Sequence, residues 1–276
     1  RIGELRRPEP EKARYFWQLA RPQLGEAEIL AALDILCSGN TTCHRIVAEF
    51  EKTFAEMFGD GREAVMVNSG SSANLLAAEL LARRVGRGAE VVIPAVTWPT
   101  HVWSAIQAGL RVRLCDVDRE RMVATPATID EAATSNTRAV WLVHPLGFTC
   151  DVDEVLRLAA FRGWEVMEDC CDALGASYHD GAEQVGTRTL AGTFSFFASH
   201  HVSTMEGGAV LCRTEDAVAL RCWRSHGWAR GLGNGPTAAV LRGRRSGPFT
   251  FADMGWNLRP TEVAAAIGLD QLARWV

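Results

Sequence analysis

The chain has 276 residues, 47% of them hydrophobic and 22% charged, with a formal net charge of −4. That length buries a sizeable core, and no basic field covers the chain, which argues against nucleic acid as its main partner. No apolar run reaches the ~20 residues a membrane-crossing helix needs, and none of the eight cysteines stands in a Cys-x-x-Cys pair that would hold zinc; the expectation is a reducing, cytoplasmic setting with neither nucleic acid nor membrane as partner.

Residues 1–24 form a charged, proline-containing segment unlike a signal peptide. Helical apolar spacing follows over Glu26 to Leu36 and Ile46 to Phe58. Ala64 to Val67 reads as a buried strand and Ala73 to Val85 as a helix stopped by Gly86 and Gly88. The short apolar runs Glu90 to Ile93, Val112 to Cys115, Ala139 to Val143 and Glu165 to Met167 alternate with helical stretches at His101 to Ala108, Ile129 to Thr134 and Val152 to Phe161. This alternation predicts an α/β fold, a mostly parallel sheet with helices on both faces. Phe194 to Phe197 and Ala209 to Cys212 add two strands, and Glu215 to Arg224 a helix. The Gly-, Arg- and Pro-rich stretch Arg230 to Pro248 reads as a mobile loop. From Pro260 a helix restarts.

Four segments carry chemistry. Val67-Asn68-Ser69-Gly70-Ser71-Ser72-Ala73-Asn74 joins a strand to a helix, whose N-terminal N–H groups suit a phosphate; a plain serine cap is the alternative. In Pro94-Ala95-Val96-Thr97-Trp98-Pro99-Thr100, Trp98 stands at a strand end, where ligands of open α/β sheets sit, and can stack on a heteroaromatic ring; with nine tryptophans in the chain, simple packing competes. Glu165-Val166-Met167-Glu168-Asp169-Cys170-Cys171-Asp172 offers carboxylates that can pair with a protonated ring nitrogen or merely cap a helix. The fourth is Ser195-Phe196-Phe197-Ala198-Ser199-His200-His201-Val202-Ser203-Thr204-Met205-Glu206-Gly207-Gly208.

Together and in this order, from about Trp17 to Trp275, these segments resemble the sugar aminotransferases of the DegT/DnrJ/EryC1/StrS family, which have the type I, aspartate aminotransferase-like fold of pyridoxal phosphate enzymes. His144-Pro145-Leu146-Gly147 and Gly255-Trp256-Asn257-Leu258-Arg259-Pro260 extend the likeness. The spacing to Ser195 and to Glu206-Gly207-Gly208 sets His200 where most members carry the lysine that tethers the cofactor. The only lysines are Lys12 and Lys52, and histidine moves protons but forms no imine. The resemblance therefore implies the histidine-bearing branch, which uses pyridoxamine 5'-phosphate (and its aldehyde form, pyridoxal 5'-phosphate) to remove the C3 hydroxyl of a nucleotide-linked 4-keto-6-deoxyhexose. It implies His200 as the proton carrier; Gly70, Ser71, Ser72, Trp98, Asp169, Asp172, Ser195 and Asn257 around the cofactor; glutamate as amino donor; and a homodimer whose partner completes each site. An iron–sulfur sister group is set aside because no cysteine follows Cys222, too few ligands for a cluster, and no metal is expected. In domain terms the likeness implies a large cofactor-binding unit over 25–258 and the start of a truncated smaller C-terminal domain over 259–276. An aminotransferase with a displaced lysine, a non-catalytic relative that binds a nucleotide sugar, and a zinc site built from His200, His201 and the cysteine pair are the competing readings.

Overall fold

The computed structural model describes residues 24–178, 181, 183–230, 232, 236–243, 247 and 249–275. Among them run seven strands, β1 (Glu63–Val67), β2 (Glu90–Pro94), β3 (Arg111–Cys115), β4 (Thr137–Val143), β5 (Glu165–Asp169), β6 (Ala191–Ser195) and β7 (Gly208–Cys212). They form one sheet in the order β1-β7-β6-β5-β4-β2-β3. Neighbours from β3 to β6 are parallel, and β7 runs antiparallel to both β6 and β1. The helices are α1 (Glu26–Ser38), α2 (Arg45–Phe58), α3 (Gly70–Val85), α4 (Pro99–Gln107), α5 (Pro126–Ala132), α6 (Val152–Arg162), α7 (Thr214–Trp223), α8 (Pro236–Arg242) and α9 (Glu262–Ala273).

Strand residues alternate between two buried faces, as a period of two requires. Ala64 and Met66 of β1, with Val140 and Leu142 of β4, join the core that includes Phe50, Phe54 and Phe58 of α2. Val65, Val67, Ala139 and Trp141 join the opposite core, with Leu76 and Leu81 of α3 and Trp223 of α7. Continuous apolar strands covered on both sides are what a mostly parallel sheet demands. Edge-on aromatic contacts lock α2 to the sheet: Phe50 to Phe196 at 5.3 Å and Phe54 to Phe194 at 5.4 Å between ring centroids. Helix α9 packs on α1 and α2 and contributes Ala264, Ala265 and Leu272 to the same core.

Two expectations change. The stretch Arg230 to Pro248, read as loop from its glycines and arginines, contains α8; Pro236 opens the helix, and Leu241 packs against the α3-side core. The rest of that stretch lies largely outside the described residues. The strand expected at Phe194 to Phe197 begins three residues earlier and ends two earlier, at Ala191–Ser195: Gly192 weakens the local strand signal, but it fits there because its backbone packs directly on Gly186. The segment read as residues 1–24 is outside the described residues except for Leu24. Among the described residues, no helix is long and apolar enough to cross a membrane.

Candidate active site

Strand alternation decides which acid faces which core. In β5, Glu168 turns to one side and Asp169, the last residue of the strand, to the other. Asp169 is buried, and its Oδ2 accepts a hydrogen bond from Asn74 Nδ2 of α3 at 2.9 Å while its Oδ1 accepts the Cys171 N–H at 3.0 Å. Glu168 has a separate life. Its carboxylate accepts from His144 Nε2 (2.8 Å), the Tyr178 hydroxyl (2.9 Å), Thr189 Oγ1 (2.8 Å) and the Gly186 N–H (3.2 Å). Burial alone would raise its pKa, but these hydrogen bonds, His144 first, hold it below the usual carboxylate range. His144 Nδ1 accepts the Cys150 N–H at 3.1 Å, which leaves the ring proton on Nε2, facing Glu168. His144, Glu168 and Cys170 converge within 4.8 Å, yet these hydrogen bonds already occupy the carboxylate and both imidazole nitrogens, so the trio is a knot that ties β4 to β5.

The phosphate-type loop is built by α3. Ser69 caps the helix, its hydroxyl oxygen accepting the Ser72 N–H at 3.1 Å. Ser72 Oγ donates to Asn68 Oδ1 at 2.6 Å, and Ser71 Oγ donates to Thr100 Oγ1 at 3.1 Å, fastening the loop to the start of α4. Ser69 is thus an ordinary cap, and the first turn it organises packs against Ser195 at the end of β6. A Cβ on Gly70 would lie 2.6 Å from Ser195 Cβ and 2.9 Å from its Oγ, so only glycine lets Ser195 approach the helix N-terminus. Gly208 plays the matching part behind the loop, since a side chain there would lie 2.5 Å from the Ser69 carbonyl oxygen. This is the packing reason for a Glu-Gly-Gly run after His200.

Trp98 precedes Pro99 at the start of α4 and is 71% exposed, its ring available at the C-terminal end of β2. His200 is half-buried and His201 exposed. His200 Nδ1 lies 3.3 Å from Asp172 Oδ1. Burial lowers the His200 pKa; Asp172 opposes that shift most strongly and Asp169 more weakly. The imidazole thus lies within the field of the acid at the end of β5. Asp172 therefore acts on the His200 ring through its charge. Asn257 is exposed, its Oδ1 accepting from Arg259 Nε at 3.1 Å; the following Leu258 carbonyl accepts the Asn68 N–H at 3.1 Å, which holds this segment beside the loop.

Sequence reading missed two residues. Asn74 stands on the α3 face otherwise made of Ala73, Leu76 and Ala77; a polar side chain amid that apolar stripe was the available signal. His101 follows Trp98 by one helical turn. It is fully buried, its Nδ1 meets Thr97 Oγ1 at 2.8 Å, and its ring stands edge-on to Trp141 at 4.2 Å. Burial pulls its pKa down to about 4, with Asp169 pulling the other way. Asn74 Oδ1 and His101 Nε2 are buried without a hydrogen-bond partner. Two orphaned polar atoms near a buried acid, a glycine-opened helix terminus and an exposed indole fit a planar, phosphorylated heterocycle.

The DegT/DnrJ/EryC1/StrS aminotransferase family model matches residues 22–275. The chain is 37% identical to the GDP-4-keto-6-deoxy-D-mannose 3-dehydratase of Yersinia pseudotuberculosis over 266 residues, 93% of this chain and 66% of that protein. A crystal structure of GDP-4-keto-6-deoxymannose-3-dehydratase with a trapped PLP-glutamate geminal diamine superposes with a TM-score of 0.87 at 34% identity, covering 94% of this chain and 68% of that one. A substituted form with bound GDP-perosamine superposes at 0.85, with the same identity and coverage. The chain spans about two thirds of the length of these relatives. Its fold is that of the pyridoxal phosphate-dependent aminotransferases, and the chain belongs to the DegT/DnrJ/EryC1/StrS family.

Proposed function

We propose that this chain is the catalytic part of a pyridoxamine phosphate-dependent 3-dehydratase acting on a nucleotide-linked 4-keto-6-deoxyhexose in the cytoplasm, with glutamate restoring the cofactor amine. The observation that carries the reading is an imidazole, His200, set 3.3 Å from Asp172 at the loop after β6, where the family's usual lysine would stand. Lys52 is on the outer face of α2, paired with Glu56 at 3.7 Å, and Lys12 lies outside the described residues.

When bound, pyridoxamine phosphate supplies the amine that condenses with the C4 ketone and a ring that accepts electrons once its nitrogen is protonated. Asp169, fixed by Asn74 and the Cys171 N–H, would hold that nitrogen protonated. The N-terminus of α3 with Gly70, Ser71 and Ser72, together with Ser195, would hold the phosphate, and Trp98 would stack on the ring. His200 takes a proton at the carbon bearing the amine and returns it to the departing C3 hydroxyl; an imidazole suits this near neutrality better than an amine of pKa ~10.4. Two copies form the working dimer, and Asn257 reaches the partner's cofactor. The test is incubation with pyridoxamine phosphate, glutamate and a panel of nucleotide 4-keto-6-deoxy sugars. The sugar product should be lighter by one oxygen atom, its C3 hydroxyl replaced by hydrogen, with ammonia released and glutamate converted to its 2-keto acid as the cofactor amine is restored; borohydride should trap no cofactor on the protein. An amino sugar as product, or covalent trapping, overturns the proposal in favour of transamination.

A further inference from the structure

The amide that holds Asp169 is itself unfinished. Asn74 Nδ2 donates to Asp169 Oδ2 at 2.9 Å, while Asn74 Oδ1, at the other end of the same planar group, is buried without a partner. An amide held at one end alone can turn over, and the turned form sets its oxygen against the carboxylate. A donor at Oδ1 removes that freedom. It also polarises the amide and strengthens its bond to the acid, because linked hydrogen bonds reinforce one another at low dielectric.

Two more buried polar atoms without a partner belong to the same side of the sheet: His101 Nε2 of α4 and Trp141 Nε1 of β4. Asn74 and His101 enter this core from α3 and α4, which pack together. Their neighbours Ala73, Ala77 and Ala105 share it with Trp141 and with Met167 of β5. The His101 ring stands edge-on to Trp141 at 4.2 Å between centroids. Trp141 is the register partner of Met167, two residues before Asp169 on the same face of β5. Thr97 Oγ1 engages His101 Nδ1 at 2.8 Å, which turns Nε2 away from that contact, and Asp169 is the charge that acts on the ring. An indole N–H that only donates, an amide oxygen that only accepts and a neutral imidazole nitrogen that does either are together what one buried water needs.

We infer that Trp141 Nε1, His101 Nε2 and Asn74 Oδ1 together bind one water beside Asp169, and that through it His101 is a positioning residue, locking the Asn74 amide with its N–H groups towards the acid. The water accepts from Trp141 and donates to Asn74 Oδ1, and His101 fixes its place. The imidazole serves here because it is neutral; an imidazolium would pair with Asp169 itself and compete with the cofactor ring nitrogen. This rests on the reading that Asp169 serves that nitrogen, and it adds the groups that aim the acid.

The experiment follows the full chain loaded with pyridoxamine phosphate carrying nitrogen-15 in its ring, whose resonance reports protonation of that nitrogen. Two substitutions divide the imidazole between them. His101→Gln places a polar group near the Nε2 position, whereas His101→Asn keeps one near Nδ1, beside Thr97, and loses the other. In His101→Asn the resonance should move towards the unprotonated position. Its kcat should fall about fivefold to tenfold, the worth of one buried hydrogen bond, with KM for the sugar unchanged. His101→Gln should keep both values near those of the unsubstituted chain. Asn74→Ala combined with His101→Asn should be no worse than Asn74→Ala alone, since both act along one path. A crystal structure of the loaded chain should show a water within hydrogen-bond distance of all three atoms. Equal behaviour of the two His101 variants, additive losses in the double variant, or no water at that place overturns the inference. A ring nitrogen already unprotonated in the unsubstituted chain fails the role of Asp169 itself; a protonated one that ignores His101→Asn fails this inference alone.

Discussion

At the scale of single residues, protonation divides the histidines by role. His200 is pushed below its ordinary pKa by burial and partly restored by Asp172. The base form needed for proton removal therefore persists to pH values below the unperturbed ~6.5. In Asp172→Asn the restoring charge is gone, so the acid limb of the kcat/KM profile should move to lower pH with kcat reduced; an unmoved limb would show that Asp172 does not act on His200. His200→Asn should abolish removal of the C3 oxygen yet keep cofactor binding, checked by mass and by absorption. His101 titrates to a different end. It is buried neutral with a pKa of about 4, depressed from the unfolded value of ~6.5. Stability from its neutral form is complete above ~6.5 and is lost as pH falls toward 4, by about 3 kcal/mol in all. Urea midpoints at pH 7 and pH 4.5 should therefore converge in His101→Phe relative to the unsubstituted chain, a difference that a purely steric role would not produce.

At the scale of elements, the exposed side of β1 shows how side chains finish what the sheet leaves undone. This strand is at the edge, and edges invite pairing with other chains. Glu51 Oε1 accepts the Met66 N–H at 2.9 Å, Arg221 Nη2 donates to the Ala64 carbonyl at 3.1 Å, and Arg224 donates to the Met66 carbonyl. The same two arginines pair with Glu51, at 3.1 Å and 2.5 Å. The cavity of about 1120 Å³ between α2 and α7 has Glu51, Arg221 and Arg224 among its lining, and these three are engaged in closing the sheet edge. Glu51→Ala should leave a buried guanidinium and an N–H unpaired and destabilise the fold by about 3 kcal/mol or more, read as a lower urea midpoint; edge-to-edge association should rise in sedimentation. A midpoint within error of the unsubstituted chain would assign the edge protection elsewhere.

At the scale of the whole molecule, the site gathers residues from strand ends and helix starts far apart in the chain: Trp98 after β2, Asp169 at the end of β5, Ser195 at the end of β6 and Gly70 at the start of α3. Parallel strands bring their C-terminal ends to one edge of the sheet, which is why ligands collect there. Asn257 is exposed, and the function proposed above has it serve a second copy. Mixing inactive His200→Asn with inactive Asn257→Ala should then restore removal of the C3 oxygen, since each mixed dimer contains one site with both residues intact; no recovery after subunit exchange would place each site within one chain.

The α/β alternation, the family likeness and the anomalous histidine were legible in the residues, because apolar periodicity and motif spacing are local properties. The sequence also placed Gly70, Ser195 and Asp169 within its motifs. It could not choose between the neighbouring acids Glu168 and Asp169 by chemistry alone, nor foresee Asn74, His101 or α8. Those depended on strand register, which sends alternate residues to opposite faces, and on helix α3 lying over the ends of β5 and β6. Side-chain type is written along the chain, whereas the environment that gives a side chain its protonation and partner arises only when distant elements pack.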